Sequence, residues 1–138
     1  MTRRIPIRLI EKLEVGHPSI DAEHRDLLAL VEGFRNQLEE DADSESLVLA
    51  IGEIIEYTRR HFANEEALMD ECGYPEMARH VRIHRELLEK AAAQQEKVRQ
   101  SRLINIEPIK LYSFLVDWFI RHVVEEDRKL ADYLKNAN

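Results

Sequence analysis

His61-Phe62-Ala63-Asn64-Glu65-Glu66-Ala67-Leu68-Met69-Asp70-Glu71-Cys72-Gly73-Tyr74-Pro75-Glu76-Met77-Ala78-Arg79-His80-Val81-Arg82-Ile83-His84 carries one spacing twice: His61 to Glu65, then His80 to His84. An α-helix turns about 100° per residue, so side chains four apart stand one above the other and can grip the same object. Between the pairs, Gly73 and Pro75 mark a helix end and a helix start, with Gly just past one terminus and Pro inside the next. The stretch reads as two antiparallel helices, each bearing a ligand pair. A single His-x-x-x-His or His-x-x-x-Glu is better explained by a solvated helix face, but two of them bracketing one turn point to a metal ion.

Outward from this hairpin the chain stays helical. The upstream helix runs from about Ser44 to Cys72, with Leu47, Ile51, Ile54, Ile55, Thr58, Phe62, Leu68 and Met69 as its buried stripe. The downstream one runs from about Pro75 to Arg99, with Met77, Val81, His84, Leu87, Leu88 and Ala91 inward and a polar tail, Gln94 to Gln100, exposed. A first helix should begin near Ser19 as N-cap, preceded by Pro18, and place Ile20, Leu27, Leu28, Val31, Phe34 and Leu38 at helical spacing. Glu39 to Glu45, five acidic residues in seven, reads as a solvated loop. A last helix should start near Asn105, tolerate Pro108 in its first turn, and carry Ile109, Tyr112, Phe114, Leu115, Trp118, Phe119, Val123 and Leu130. The expected fold is all-α: an up-down-up-down four-helix bundle over residues 19–134 with an irregular N-terminal arm over 1–18, together one domain over 1–138.

Composition narrows the function classes. With 138 residues and 44% hydrophobic content, the chain suits one domain with a real core. A formal net charge of −7 argues against nucleic acid, which needs a basic surface. Arg3, Arg4 and Arg8 precede an apolar run that Glu11, Lys12 and Glu14 break before a signal-peptide core forms, and no stretch approaches the ~18 apolar residues of a membrane span. The single Cys72 forms no internal disulfide, so a soluble protein of the reducing cytoplasm is expected, with no membrane partner and no protein partner legible.

Five of the six histidines fall within the expected helices: His24 on the first, His61 on the second, His80 and His84 on the third, His122 on the fourth. His17, between Gly16 and Pro18, reads as an exposed loop residue. One core histidine is usually just hydrogen-bonded. Five converging from four helices would bury five polar rings at heavy cost unless something binds them, and a metal centre is the simplest occupant.

The motifs Ile20-Asp21-Ala22-Glu23-His24, His61-Phe62-Ala63-Asn64-Glu65-Glu66 followed by Leu68-Met69, Gly73-Tyr74-Pro75, His80-x-x-x-His84, and Trp118-Phe119-Ile120-Arg121-His122 with Asp127 five residues on, resemble those of the hemerythrin family, specifically its single-domain bacterial members. The resemblance covers residues 19 to about 134. It implies a non-haem di-iron centre held by His24, His61, Glu65, His80, His84, His122 and Asp127. Glu65 and Asp127 would bridge the irons; His80, His84 and His122 would serve one iron, His24 and His61 the other. Of about twelve positions on two octahedral irons, five histidines fill five, two bridging carboxylates four and an oxo or hydroxo bridge two. The position left over falls on the two-histidine iron, where O2 would bind as ligand. Two positions depart from the family pattern. Bacterial members often carry a tryptophan in the arm, whereas Trp118 is the only one here. A glutamine often precedes the first ligand histidine; here it is Glu23, expected to matter little because neighbours on a helix point different ways.

His122 and Asp127, five apart, would diverge by roughly 140° on a straight helix. Spacing alone favours Glu126; Asp127 follows from the resemblance and requires a wide turn, such as a π-bulge. Around the open position, Leu27, Leu28, Phe62, Trp118 and Phe119 lie at spacings that reach the cavity from the ligand histidines, the plainer reading of each being ordinary core.

The resemblance implies reversible O2 binding by a carrier, storage or delivery protein that is not an enzyme, with dioxygen as its partner. The alternative is an O2- or redox-sensing or iron-handling module acting through another protein. A di-iron oxidase is less expected, because those centres use Glu-x-x-His pairs on two helices, and here the only such pair, Glu14 to His17, is interrupted by Gly16. A zinc hydrolase is weaker still, since no His-Glu-x-x-His occurs and seven ligands exceed a tetrahedral ion's need.

Overall fold

The first helix, α1 (Pro18–Glu39), starts two residues earlier than expected, and its cap is His17 rather than Ser19. Proline's fixed φ and missing N–H suit the first helical position, so Pro18 takes it and the residue before becomes the cap. His17 accepts the Ile20 N–H through Nδ1 at 3.4 Å, which replaces its reading as a plain exposed loop residue. Asp21 accepts the N–H groups of Val15 (2.8 Å) and Gly16 (3.2 Å), and Gly16 turns at φ 89°. The chain before α1 is thereby folded back, with Leu13 and Val15 buried in the core.

A computed structural model describes residues 13–101 and 108–136. The apolar arm residues before Leu13, the start of the last helix near Asn105 and the side chain of Ile109 lie outside them.

Helix α2 (Ser44–Cys72) begins at Asp43, whose carboxylate accepts the Ser46 N–H at 2.8 Å. It ends on Gly73 in the left-handed region (φ 65°, ψ 43°), where Tyr74 N–H reaches the Met69 carbonyl (2.9 Å) and Gly73 N–H that of Asp70 (3.4 Å). This pattern satisfies the last carbonyls and needs a residue without Cβ strain. Helix α3 (Met77–Ser101) starts two residues after Pro75, not at it, because Tyr74 to Met77 first close a turn (3.1 Å). Helix α4 (Pro108–His122) runs into a single π-helical turn, Val123–Asp127, and then α5 (Arg128–Asn136), so the three make one long fourth helix with a local widening.

The fold is the expected all-α four-helix bundle: α2 packs along α1 and α3, and α4 along α1 and α3. Ile20, Leu27, Val31, Phe34, Leu47, Ile51, Ile54, Met69, Leu115, Val123 and Leu130 form its core. Leu28, Leu68, Met77, Val81, Leu87, Leu88 and Phe114 are only partly buried against it. The tail of α3 is not wholly exposed. Val98 continues the Ala91 stripe two turns on and is buried, and the Gln95 side chain donates to the Val48 carbonyl at 3.0 Å. Arg35 is buried too, with its charge matched within α1 by Glu32 (2.9 Å) and Glu39 (3.0 Å); Tyr112 O–H also donates to Glu32 at 2.9 Å. No described helix is long and apolar enough to cross a membrane.

Candidate metal centre

All seven residues that the resemblance singles out meet in the middle of the bundle, each 4% exposed or less. Their donor atoms form two groups, with the atoms of each within 4.8 Å of one another: Glu65, His80, His84, His122 and Asp127 in one, His24, His61, Glu65 and Asp127 in the other. Glu65 and Asp127 belong to both. Regular helix explains the pairs on α2 and α3, because one turn stacks His61 over Glu65 and His80 over His84. On the fourth helix the π-turn does this work. Its extra residue per turn brings Asp127 onto the face of His122, Nε2 to Oδ1 2.9 Å, while Glu126 points sideways to Arg79. Arg79 grips Glu126 with two bonds, Nη1 to Oε2 at 2.7 Å and Nη2 to Oε1 at 2.9 Å.

Several of these atoms have neighbours but no hydrogen bond. His80 Nε2 stands 3.4 Å from Glu65 Oε1 and 3.3 Å from Asp127 Oδ1, and His61 Nε2 stands 3.1 Å from Glu65 Oε2. Glu65 Oε2, Asp127 Oδ1 and the Nε2 atoms of His80 and His122 are all buried without a bonding partner among the described residues. Such orphans are costly, and atoms that converge without bonding each other are what cation ligands look like from the protein side.

The outer ring nitrogens fix the direction of three histidines. His24 Nδ1–H donates to the Leu13 carbonyl (3.3 Å), His61 Nδ1–H to Glu23 Oε1 (3.0 Å) and His84 Nδ1–H to Glu66 Oε2 (2.9 Å). That leaves Nε2 of each facing a carboxylate: His24 toward Asp127 Oδ2 at 2.8 Å, His84 toward Glu65 Oε1 at 2.9 Å. Lone pairs facing carboxylates need a positive charge between them. Without a metal, protons take that place. Burial works against a charged His61, but the carboxylates of Glu65, Asp127 and Glu23 push it up to about 12. His122, opposed by burial and favoured by Asp127 and Glu65, rises to about 9. Burial acts to raise Asp127, yet the neighbouring histidines hold it well below the usual carboxylate range. In His84 burial wins, and its affinity for a proton falls. The donor set of five imidazoles and two shared carboxylates fits two iron ions.

Of the five apolar residues expected around the open position, Leu27, Phe62, Trp118 and Phe119 are buried and Leu28 is half-buried. Phe62 stacks flat on His84 (3.7 Å between ring centres, 3° between planes) and meets His122 edge-on at 4.9 Å; Phe119 meets His24 edge-on at 5.6 Å. A cleft of about 340 Å³ opens between α3 and α4, and of these five only Trp118 lines it, beside Ile83, Phe114, Arg121 and His122. Sequence reasoning expected little of Glu23, whose carboxylate in fact reaches the ring of His61, and passed over Glu66 and Arg79. Glu23 directly precedes His24 and Glu66 directly follows Glu65, so adjacency to a ligand was a signal for both; nothing in the sequence pairs Arg79 with Glu126 across 47 residues.

The pattern of the hemerythrin HHE cation binding domain matches residues 15–134. The chain is similar to the bacteriohemerythrin of Stenotrophomonas maltophilia, 30% identical over 128 residues that cover 91% of this chain and 79% of the relative. It is similar also to those of Campylobacter jejuni (26% over 121 residues, 88% and 90%) and Pseudomonas paraeruginosa (22% over 127 residues, 92% and 80%). A family pattern spanning nearly the whole bundle, and a buried cluster of histidines and carboxylates able to hold two ions, lead to one conclusion: the chain belongs to the hemerythrin family, whose domain carries a non-haem di-iron centre of the oxygen-binding type.

Proposed function

We propose that the domain binds dioxygen reversibly, as a carrier or store and without catalytic turnover, at two irons held by His24, His61, Glu65, His80, His84, His122 and Asp127. The observation that carries the reading is the unequal division of donors around shared carboxylates: three histidines in one group, two in the other. An ion held by His24 and His61 would have one histidine fewer than its neighbour and so room for a small molecule. When bound, the iron pair supplies the electrons that let O2 attach and, on their return, leave.

The protein's share is to hold the ions and keep the site dry. Phe62 and Phe119 cover ligand rings, and Trp118 and Leu27 are buried in the bundle core. Water and protons at the site would divert O2 toward reduced products, so an apolar wall favours its release unchanged. Among the described residues, the buried Asp, Glu, His, Lys and Arg side chains outside the seven are Arg35 and Glu126, and both are ion-paired. Beyond the seven, the carboxylates nearest the centre, Glu23 and Glu66, are taken up by the rings of His61 and His84. The reading takes residues 19–134 as one bundle working in a reducing cytoplasm, which suits the free thiol of Cys72.

Metal analysis together with gas cycling tests this. Two irons per chain and a visible absorption band that rises in air, vanishes under vacuum and returns over repeated cycles are expected. One zinc per chain from iron-replete cells, or irreversible bleaching in air, would overturn it.

A further inference from the structure

Five histidines converge on the centre, but a carboxylate backs only two of them. Glu23 accepts from His61 Nδ1–H and Glu66 from His84 Nδ1–H, so each donor group holds one carboxylate-backed ring. His24 leans on a backbone carbonyl, and the Nδ1 atoms of His80 and His122 have no partner among the described residues. Glu23 is itself held in place: Asn64, one turn beyond Arg60 and three residues past His61, donates through Nδ2 to its other oxygen, Oε2. Glu23, Asn64 and His61 thus tie α1 to α2 just outside the metal ligands.

From this geometry we infer that Glu23 is a positioning residue for the two-histidine iron, acting through His61. A carboxylate can only accept, so the ring proton sits on Nδ1 and the Nε2 lone pair is aimed at the ion. The negative charge behind the ring strengthens Nε2 as a donor and favours the ferric over the ferrous state of the ion it holds. A glutamine would accept the same hydrogen bond without the charge, so the glutamate sets the electronic character of the site as well as its geometry. Its position beside His24 in sequence hides this, because the side chain reaches across to α2 and the back of a different ligand of the same ion. The inference rests on the ligand assignment proposed above, not on reversible oxygen binding.

Glu23→Ala and Glu23→Gln separate geometry from charge. The readouts are iron affinity by chelator competition, the midpoint potential of the iron-loaded protein, and the proton chemical shift of the His61 Nδ1–H in metal-free protein. Glu23→Ala should lose about tenfold or more in iron affinity, the usual effect of removing such a partner, and move the His61 Nδ1–H signal upfield as its charged acceptor is lost. Glu23→Gln should keep iron affinity within a few-fold of wild type while its midpoint potential rises. Thermal unfolding of the metal-free forms shows whether each variant folds, and the near-isosteric glutamine variant carries the test should the alanine one not. Wild-type affinity and Nδ1–H signal in Glu23→Ala, or an unchanged potential in Glu23→Gln, would overturn the inference. A wild-type protein that holds two irons but never oxygenates reversibly would count against oxygen binding alone and leave these comparisons standing.

Discussion

On α2, His61 and Glu65 stand four residues apart on regular helix; on the fourth helix, His122 and Asp127 stand five apart and share a face only because the backbone between them is π-helical. The first arrangement follows from helical geometry alone and recurs on α3 with His80 and His84. The second spends an extra residue in one turn and forgoes ideal α-helical hydrogen bonding there, so it has to be held from outside. Arg79 does this from α3, pinning Glu126 with two hydrogen bonds next to the aspartate that turns inward. Similar donor pairs therefore differ in robustness: one is set by a single helix, the other by contact between two.

The largest expected effect tests whether Asp127 matches Glu65 despite its backbone. Each belongs to both donor groups, so Glu65→Ala and Asp127→Ala should each drop iron from two per chain to below one. An Asp127→Ala protein that kept both irons, with Glu126 swung round in its place, would show that the widened turn does not fix the register. Next in size is the wall over the rings. Phe62→Ala should cost about 3–5 kcal/mol as a buried aromatic truncation, and should speed decay of the oxygenated spectrum with two irons retained. Trp118→Ala should act in the same direction, and half-buried Leu28→Ala least. Wild-type decay in all three would reduce these side chains to core packing.

A smaller effect should separate the two ligand pairs. In Arg79→Ala the regular-helix pair keeps its geometry while the π-turn loses its clamp, so iron should leave to a chelator a few-fold faster than from wild type, with helix content unchanged. Equal release rates would mean that the turn holds itself. The smallest effect belongs to the sixth histidine. His17→Ala should leave iron content at two per chain and lower stability by about 1 kcal/mol or less through the weakened cap. Loss of iron in that variant would place His17 in the site and undo the division of histidines drawn here.

The same contrast explains what could be read from the sequence. The α2–α3 hairpin was legible because glycine, proline and four-residue repeats are local signals, and the stripe from Leu47 to Met69 came through almost unaltered. Asp127 was legible only through family resemblance, since periodicity favours Glu126, and periodicity fails wherever the backbone leaves the α-helix. The start of α1 was misplaced because serine is the commoner cap, whereas Pro18 decides which residue can precede the helix. Arg35 and Val98 were missed for related reasons. A buried arginine is compensated by glutamates three before and four after it, a pattern that also reads as a solvated face. Val98 sits among polar neighbours that conceal the continuing stripe.

The turn at Gly73 also bears on the order in which the centre comes together. His61, Glu65, His80 and His84 fall within the 24 residues 61–84, so closing α2 against α3 restricts little chain. His24 lies 37 residues before His61, and Asp127 lies 66 after it; those contacts close much longer loops. A helical hairpin already bearing four of the seven donors is therefore expected early in folding, with the remaining three closing over it. Gly73→Ala strains this hairpin at its left-handed residue and should slow folding while leaving the unfolding rate nearly unchanged; the reverse pattern would make the hairpin a late event.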